Sequence, residues 1–464
     1  MARMNSDPAS APNSSSGTAQ SPSLLLRLFQ PDPPAARTIT DPIAVASEYR
    51  RLRIQILIAT MVGYAAYYFV RKNLSIAMPV MEKDLGIKKS DLGLFLTLHG
   101  VIYGVSKFCN GMLGDRCNAR MFMVTGLVLC AGLNIAFGFS STITAMGLIW
   151  MLNGWFQGMG FPPCARLLTH WFPPKVLATR MSLWNTSHSI GAGLVVILCG
   201  YVVGYGWRNV FFVPSAIALL CAAYLWYSIK DTPESLGLPE VEGTGGTNST
   251  THQEKSSRDS SYWMKRVFLN PYIWIFAVAN FFVYTVRYAI FDWSPSILSQ
   301  ARGLSLKNAG WVTAAFEISG IFGMLTFGWI TDRFFAGRGG RTCLLCMAAC
   351  TAALFVFWNY PTKNVGFTVV IMCLLGFFIY GPQALVGIAV ANLATKHAAA
   401  TAVGLTGIFG YLSTIFSGWG FGALVERHGW QAGFQEMFVF SIAGTVLFAL
   451  AWFAPSHGYA TDNR

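Results

Sequence analysis

Apolar runs of about 20 residues, separated by short polar breaks, recur along most of the chain. A run of that length spans the hydrocarbon core of a bilayer as α-helix. The pattern predicts six such helices at about 54–80, 92–113, 121–139, 144–168, 181–204 and 209–228. Six more follow at about 270–298, 309–330, 342–360, 366–392, 400–424 and 431–453. Between the two sets lies a polar stretch from Lys230 to Arg266 that includes Gly243-Thr-Gly-Gly-Thr-Asn-Ser-Thr-Thr251, a linker composition. The expected fold is an all-α membrane protein of twelve helices in two pseudo-symmetric six-helix bundles. Its predicted domains are a disordered tail (1–48), a first bundle (49–229), a linker (230–268), a second bundle (269–455) and a short tail (456–464). The first tail is rich in Ser, Pro and Ala and contains no signal-peptide core; its Leu24-Leu-Leu-Arg-Leu-Phe29 run is a small apolar patch.

The two sets share internal strings. Tyr68-x-Val70-Arg71 returns as Tyr284-x-Val286-Arg287, 216 residues later. Gly111-x-x-x-Asp115-Arg116 returns as Gly328-x-x-x-Asp332-Arg333 at an offset of 217, and Gly206-Trp207 as Gly429-Trp430 at 223. Offsets that keep chain order and drift slowly indicate a duplication. Each arginine of the first pair falls inside an apolar segment. An ionised guanidinium in hydrocarbon costs roughly 2.5–17 kcal/mol, depending on how freely it snorkels, so it persists only facing a protein interior or a water path. One arginine per half therefore points to an anion pocket, because guanidinium forks fit phosphate oxygens and keep their charge at any working pH.

Composition strengthens the membrane reading: 54% of the 464 residues are hydrophobic, 11% are charged and the mean hydropathy is +0.47, whereas soluble domains carry roughly 25% charged residues. The net charge of +13 comes mostly from Lys and Arg in loops of one parity, which predicts both termini on the cytoplasmic side. A basic soluble surface for nucleic acid is lacking. The ten cysteines are scattered in apolar segments; Cys343, Cys346 and Cys350 have helical spacing, but nothing nearby completes a metal set. Neither cofactor motif nor enzyme constellation is present. The expected partners are small anions and the lipid bilayer, and the expected state is a monomer.

Several strings together resemble the organophosphate:phosphate antiporters of the major facilitator superfamily, over nearly the whole chain from about Asp41. They are Gly63-Tyr-Ala-Ala-Tyr-Tyr-Phe-Val-Arg-Lys-Asn73, Tyr103-Gly-Val-Ser-Lys107, Trp155-Phe-Gln-Gly-Met-Gly-Phe-Pro-Pro-Cys164, Trp184-Asn-x-x-His188, Asp231-Thr-Pro-Glu-Ser-Leu-Gly-Leu-Pro239, Asp292-Trp293 and Tyr380-Gly-Pro382. The resemblance implies exchange of a phosphorylated sugar or polyol (hexose 6-phosphate or glycerol 3-phosphate) for inorganic phosphate, in a plasma (inner) membrane. Alternating access around one midplane site between the halves would drive it. It also implies Arg71 and Arg287 as substrate arginines and His188 as a substrate histidine. Early in helix eleven, where the hexose-phosphate uptake branch carries an Asp and a Lys, this chain has Gly404 and Gly407. A transporter-like receptor that senses external sugar phosphate for a kinase therefore stays open as an alternative.

The remaining expectations concern the walls of the site. Lys107 is a ligand or the partner of an acid. Trp184 and the tyrosines Tyr64, Tyr68, Tyr103, Tyr284, Tyr380 and Tyr411 line the route, or simply fill aromatic-rich helices. Intramembrane acids are few, so cross-half pairs of Lys72 with Asp292 and Lys107 with Glu317 are expected to break and form between conformers. Asp115-Arg116 and Asp332-Arg333 are expected to latch helix ends rather than touch substrate.

Overall fold

The computed structural model describes residues 29–114, 117–239, 241, 267–360, 364–394 and 399–456. The proposed latch residues Asp115 and Arg116, residues 1–28 and most of the central linker lie outside the described residues.

The first half contains α1 (Pro42–Phe69), α2 (Leu74–Leu85), α3 (Lys89–Gly114), α4 (Ala119–Phe139), α5 (Ile143–Gln157), α6 (Phe161–Trp171), α7 (Pro174–Val202) and α8 (Asn209–Ser228). The second contains α9 (Pro271–Ser296), α10 (Leu306–Phe335), α11 (Gly339–Asn359), α12 (Val365–Ala394), α13 (Ala399–Leu412), α14 (Phe421–His428) and α15 (Trp430–Leu450). No strand occurs among the described residues. Among the described residues, eleven helical stretches, α1 and α2 counted together, are long and apolar enough to cross a membrane. The fourth expected crossing is split into α5 and α6 at Gly158–Gly160, ahead of Pro162 and Pro163; a proline at the start of a helix cannot donate to the preceding turn.

Two expected boundaries shift. Helix α1 starts at Pro42, inside the stretch read as tail, because the Asp41 carboxylate caps the amides of Ile43 and Ala44 at 3.2 and 3.3 Å and Pro42 sits in the first turn. Residues 29–39 are also held: Ala35 and Ile39 donate to the carbonyls of Glu234 and Gly237, and the Asn118 amide to that of Phe29. The buried Asp231 carboxylate accepts from the amides of Asp32 and Ala119 and pairs with Arg166 at 3.4 Å. The second shift is a break at Val70–Asn73, which divides the first expected helix into α1 and α2.

The halves meet along α3 against α13–α14 and along α7 against α10. Call the side where α1 and α9 begin the terminal face. At the opposite face the backbones approach closely: a Cβ on Gly93 would lie 2.3 Å from the Gly418 carbonyl oxygen, and one on Gly310 2.5 Å from that of Val196. Thr97 hydrogen-bonds across the same seam, donating to the Thr414 carbonyl at 2.7 Å and accepting from the Trp419 amide at 2.9 Å. Towards the terminal face Gly111, Gly404 and Gly407 meet nothing within 4 Å. The central cleft is thus sealed at one end and widens towards the other.

Candidate anion site between the halves

Arg71 and Lys72 lie where α1 stops and α2 has not begun. Interrupting a helix in hydrocarbon frees carbonyls that need new donors. Buried carboxamides from neighbouring helices supply them: Asn134 and Asn153 donate to the Val70 carbonyl at 2.8 and 2.9 Å, and Gln157 to that of Tyr67 at 3.0 Å. Asn73 donates to Asn134 and to the Val210 carbonyl. None of these four was singled out from the sequence, although a carboxamide inside an apolar segment is itself a signal. Replacing Asn134 by Leu removes one of the two acceptors of the Asn73 amide and one of the donors to the Val70 carbonyl. An unmade buried hydrogen bond costs about 1–3 kcal/mol, so a clearly lowered unfolding temperature in detergent is expected; an unchanged one would show that the break holds itself.

The duplicated arginines have unlike surroundings. Arg71 is buried with its guanidinium over the rings of Tyr103 at 4.2 Å and Tyr68 at 5.4 Å, and no carboxylate among the described residues pairs with it. Arg287 rises from the unbroken α9 and contacts the Tyr380 hydroxyl at 2.5 Å and Glu317 at 3.4 Å. Tyr68 and His188 sit between them, within electrostatic range of both. The His188 ring lies 5.7 Å from that of Tyr68 and 6.4 Å from that of Tyr380, so it bridges the halves.

The Lys72–Asp292 pair forms across the halves at 2.5 Å, with Lys72 also over Tyr288 and Phe291. The Lys107–Glu317 pair does not form. Glu317 is taken by Arg287 within its own half, while the Lys107 ammonium lies over Phe161 at 4.4 Å and 3.5 Å from the Tyr411 hydroxyl. Helix α10 carries Glu317 on the face that meets α9 and α12, which sequence spacing between halves could not reveal. Tyr411 stands edge-on to Tyr103 at 5.2 Å, Tyr64 packs on Trp184 at 4.7 Å, and Tyr284 lies by Tyr288 at 5.4 Å. Trp184 is buried against Tyr64 and Phe161 inside the first half. Asp332 and Arg333 are exposed at the end of α10, away from this cluster. His99, not singled out from the sequence, is buried with Nε2 unpartnered and shares a small cavity with Arg71, Lys72, Tyr288 and Asp292.

Four cationic side chains (Arg71, Lys72, Lys107, Arg287) thus gather around two carboxylates, Asp292 and Glu317. Lys72 pairs with Asp292 and Arg287 with Glu317, so the two positive charges left over are those of Arg71 and Lys107, both on the first-half side of the cleft between bundles. The Major Facilitator Superfamily profile matches residues 60–418. The chain is 39% identical to a glycerol-3-phosphate transporter of Bacillus subtilis, with 92% of this chain and 98% of that one covered. It is 37% identical to a probable hexose phosphate transport protein of Chlamydia pneumoniae (92% and 96% covered) and 35% identical to the membrane sensor protein UhpC of Escherichia coli (90% and 95%). The chain belongs to the organophosphate:phosphate antiporter family of the major facilitator superfamily. Among solved structures, an inward-facing bacterial homologue of the human lysosomal transporter Spinster superimposes with a TM-score of 0.72 at 16% identity, over 89% of this chain and 98% of that one. That likeness is one of fold. As a member of this antiporter family the chain is an integral, multi-pass membrane protein, and its broken first helix and unpaired Arg71 stand at the seam between the two repeats.

Proposed function

We propose that this protein exchanges a phosphorylated sugar or polyol for inorganic phosphate by alternating access, with both termini in the cytoplasm of a cell whose plasma (inner) membrane it spans. The observation that carries the reading is the convergence of Arg71 and Arg287 from two halves, with only one of them neutralised by a carboxylate. A phosphate held between them would link the halves, which is the coupling an obligatory exchanger needs. With the termini cytoplasmic, the sealed face is external and the cleft opens inward. The site's polar groups bind and release an anion without covalent chemistry, so the protein acts as a carrier rather than an enzyme, and one chain completes the site, so it acts as a monomer.

The likeness to UhpC supports a second reading, a receptor that binds sugar phosphate and signals. Labelled-phosphate counterflow in proteoliposomes separates the two. A carrier loaded with unlabelled phosphate or sugar phosphate accumulates external label transiently; a receptor does not. Absence of counterflow from correctly folded protein would leave the receptor reading standing.

A further inference from the structure

The second half offers acceptor atoms that its own side chains do not satisfy. Glu317 is buried and uses one carboxylate oxygen on Arg287, while its Oε2 has no partner. Gln383 lies on α12 three residues after Tyr380, hence on the same helix face, beside the Tyr284 hydroxyl; its Oε1 is buried and unpartnered. One turn further along that face, Gly387 meets nothing within 4 Å. Gln383 therefore borders the opening cleft, one turn from the Arg287–Tyr380 contact towards the terminal face. A phosphate ester clamped by its phosphoryl group between the arginines must extend its organic part along this path, because the opposite face is sealed. On α10 and α12 it meets two acceptor oxygens without partners, Glu317 Oε2 and Gln383 Oε1.

We propose that Gln383, together with Glu317, reads hydroxyl groups of the organic moiety, so that the site takes hydroxylated phosphate esters and rejects carboxylated ones of similar size. This rests on the two-arginine reading of the site. A hydroxyl donates to either oxygen, whereas a carboxylate on the ester would bring only acceptors and a like charge against Glu317. A site built to hydrogen-bond hydroxyls also discriminates against analogues that lack them, since its buried polar atoms are then left unpaired.

The test is competition against labelled phosphate/phosphate exchange in proteoliposomes of the full chain. Two matched pairs are used: glycerol 3-phosphate with propyl phosphate, and glucose 6-phosphate with cyclohexylmethyl phosphate. A carboxylated ester, 3-phosphoglycerate, is added. For wild type, the hydroxylated member of at least one pair competes at least tenfold better than its hydroxyl-free counterpart and than 3-phosphoglycerate. In Gln383→Met, similar in length but without the acceptor, the ratio within that pair shrinks about tenfold. Equal competition within both pairs, or competition by 3-phosphoglycerate as strong as by the hydroxylated esters, overturns the inference, and so does a Met variant that keeps the full ratio. If the Met variant does not reach the membrane, Gln383→Leu, which likewise lacks the acceptor, is read in the same way. Wild type that fails to exchange phosphate at all counts against the antiporter reading; exchange without this discrimination counts against Gln383.

Discussion

Arg71→Lys and Arg287→Lys will each reduce phosphate exchange by roughly 10- to 100-fold, because a charge-assisted hydrogen bond contributes about 1.5–3 kcal/mol and lysine cannot reproduce a bidentate fork. Both variants keep the positive charge, so a site that needed only electrostatic attraction would tolerate them. The unlike surroundings sharpen the expectation. Arg71 stands over Tyr103 and Tyr68 without a carboxylate partner, so its substitution weakens the hold on phosphate directly. Arg287 is shared with Glu317 and Tyr380, so replacing its fork by a single ammonium also breaks buried hydrogen bonds to these groups and lowers stability as well as exchange. Surface expression and initial rates of labelled-phosphate exchange are the measurements. Wild-type rates in either variant would remove the paired arginines from the site.

The second large effect concerns the seal. Lys72→Asp and Asp292→Lys, made singly, each set two like charges face to face where an opposite pair now lies at 2.5 Å across the halves. Breaking a buried pair costs about 3–5 kcal/mol, which is enough to shift a two-state balance of access by roughly a hundredfold or more. Each single variant should lose exchange because the sealed conformer is no longer reached. The double swap restores opposite charges across the seam and should recover exchange well above either single. Hydrogen exchange of the segments around Gly93 and Gly418 reports the seal independently of transport: protection falls in the singles and returns in the swap. A swap no better than the singles would mean that the pair is passive and that the packed glycines and Thr97 hold the seal by themselves.

Much of the architecture was legible because a bilayer makes helix length and apolarity nearly synonymous. Repeated apolar runs gave the spans, and the doubled Tyr-x-Val-Arg frame gave both arginines. A cross-half partner for Lys72 could be chosen because intramembrane acids are scarce. The same reasoning failed for Lys107 and Glu317. Scarcity says which charges must be satisfied but not by whom, and Arg287 lies closer to Glu317, on a packed neighbour in its own half. Asn73, Asn134, Asn153 and Gln157 were given no role from the sequence for a related reason. Their work is to bond the carbonyls of a broken helix, and the break at Val70–Asn73 leaves no mark in hydropathy.

By itself, then, the sequence determined what depends on composition and periodicity: membrane residence, two repeated halves, and one unavoidable cation in each. It also carried the antiporter strings that the relatives bear out. Only the tertiary structure decided which charges neutralise one another, which face is sealed and which polar atoms are left over. Those properties depend on distances of a few ångströms between helices far apart in the chain, where a backbone approach permitted by Gly93 and Gly310 or a carboxamide beneath a broken helix sets the geometry. Hydrophobic burial fixes which segments enter the membrane; short-range electrostatics and packing fix how they meet.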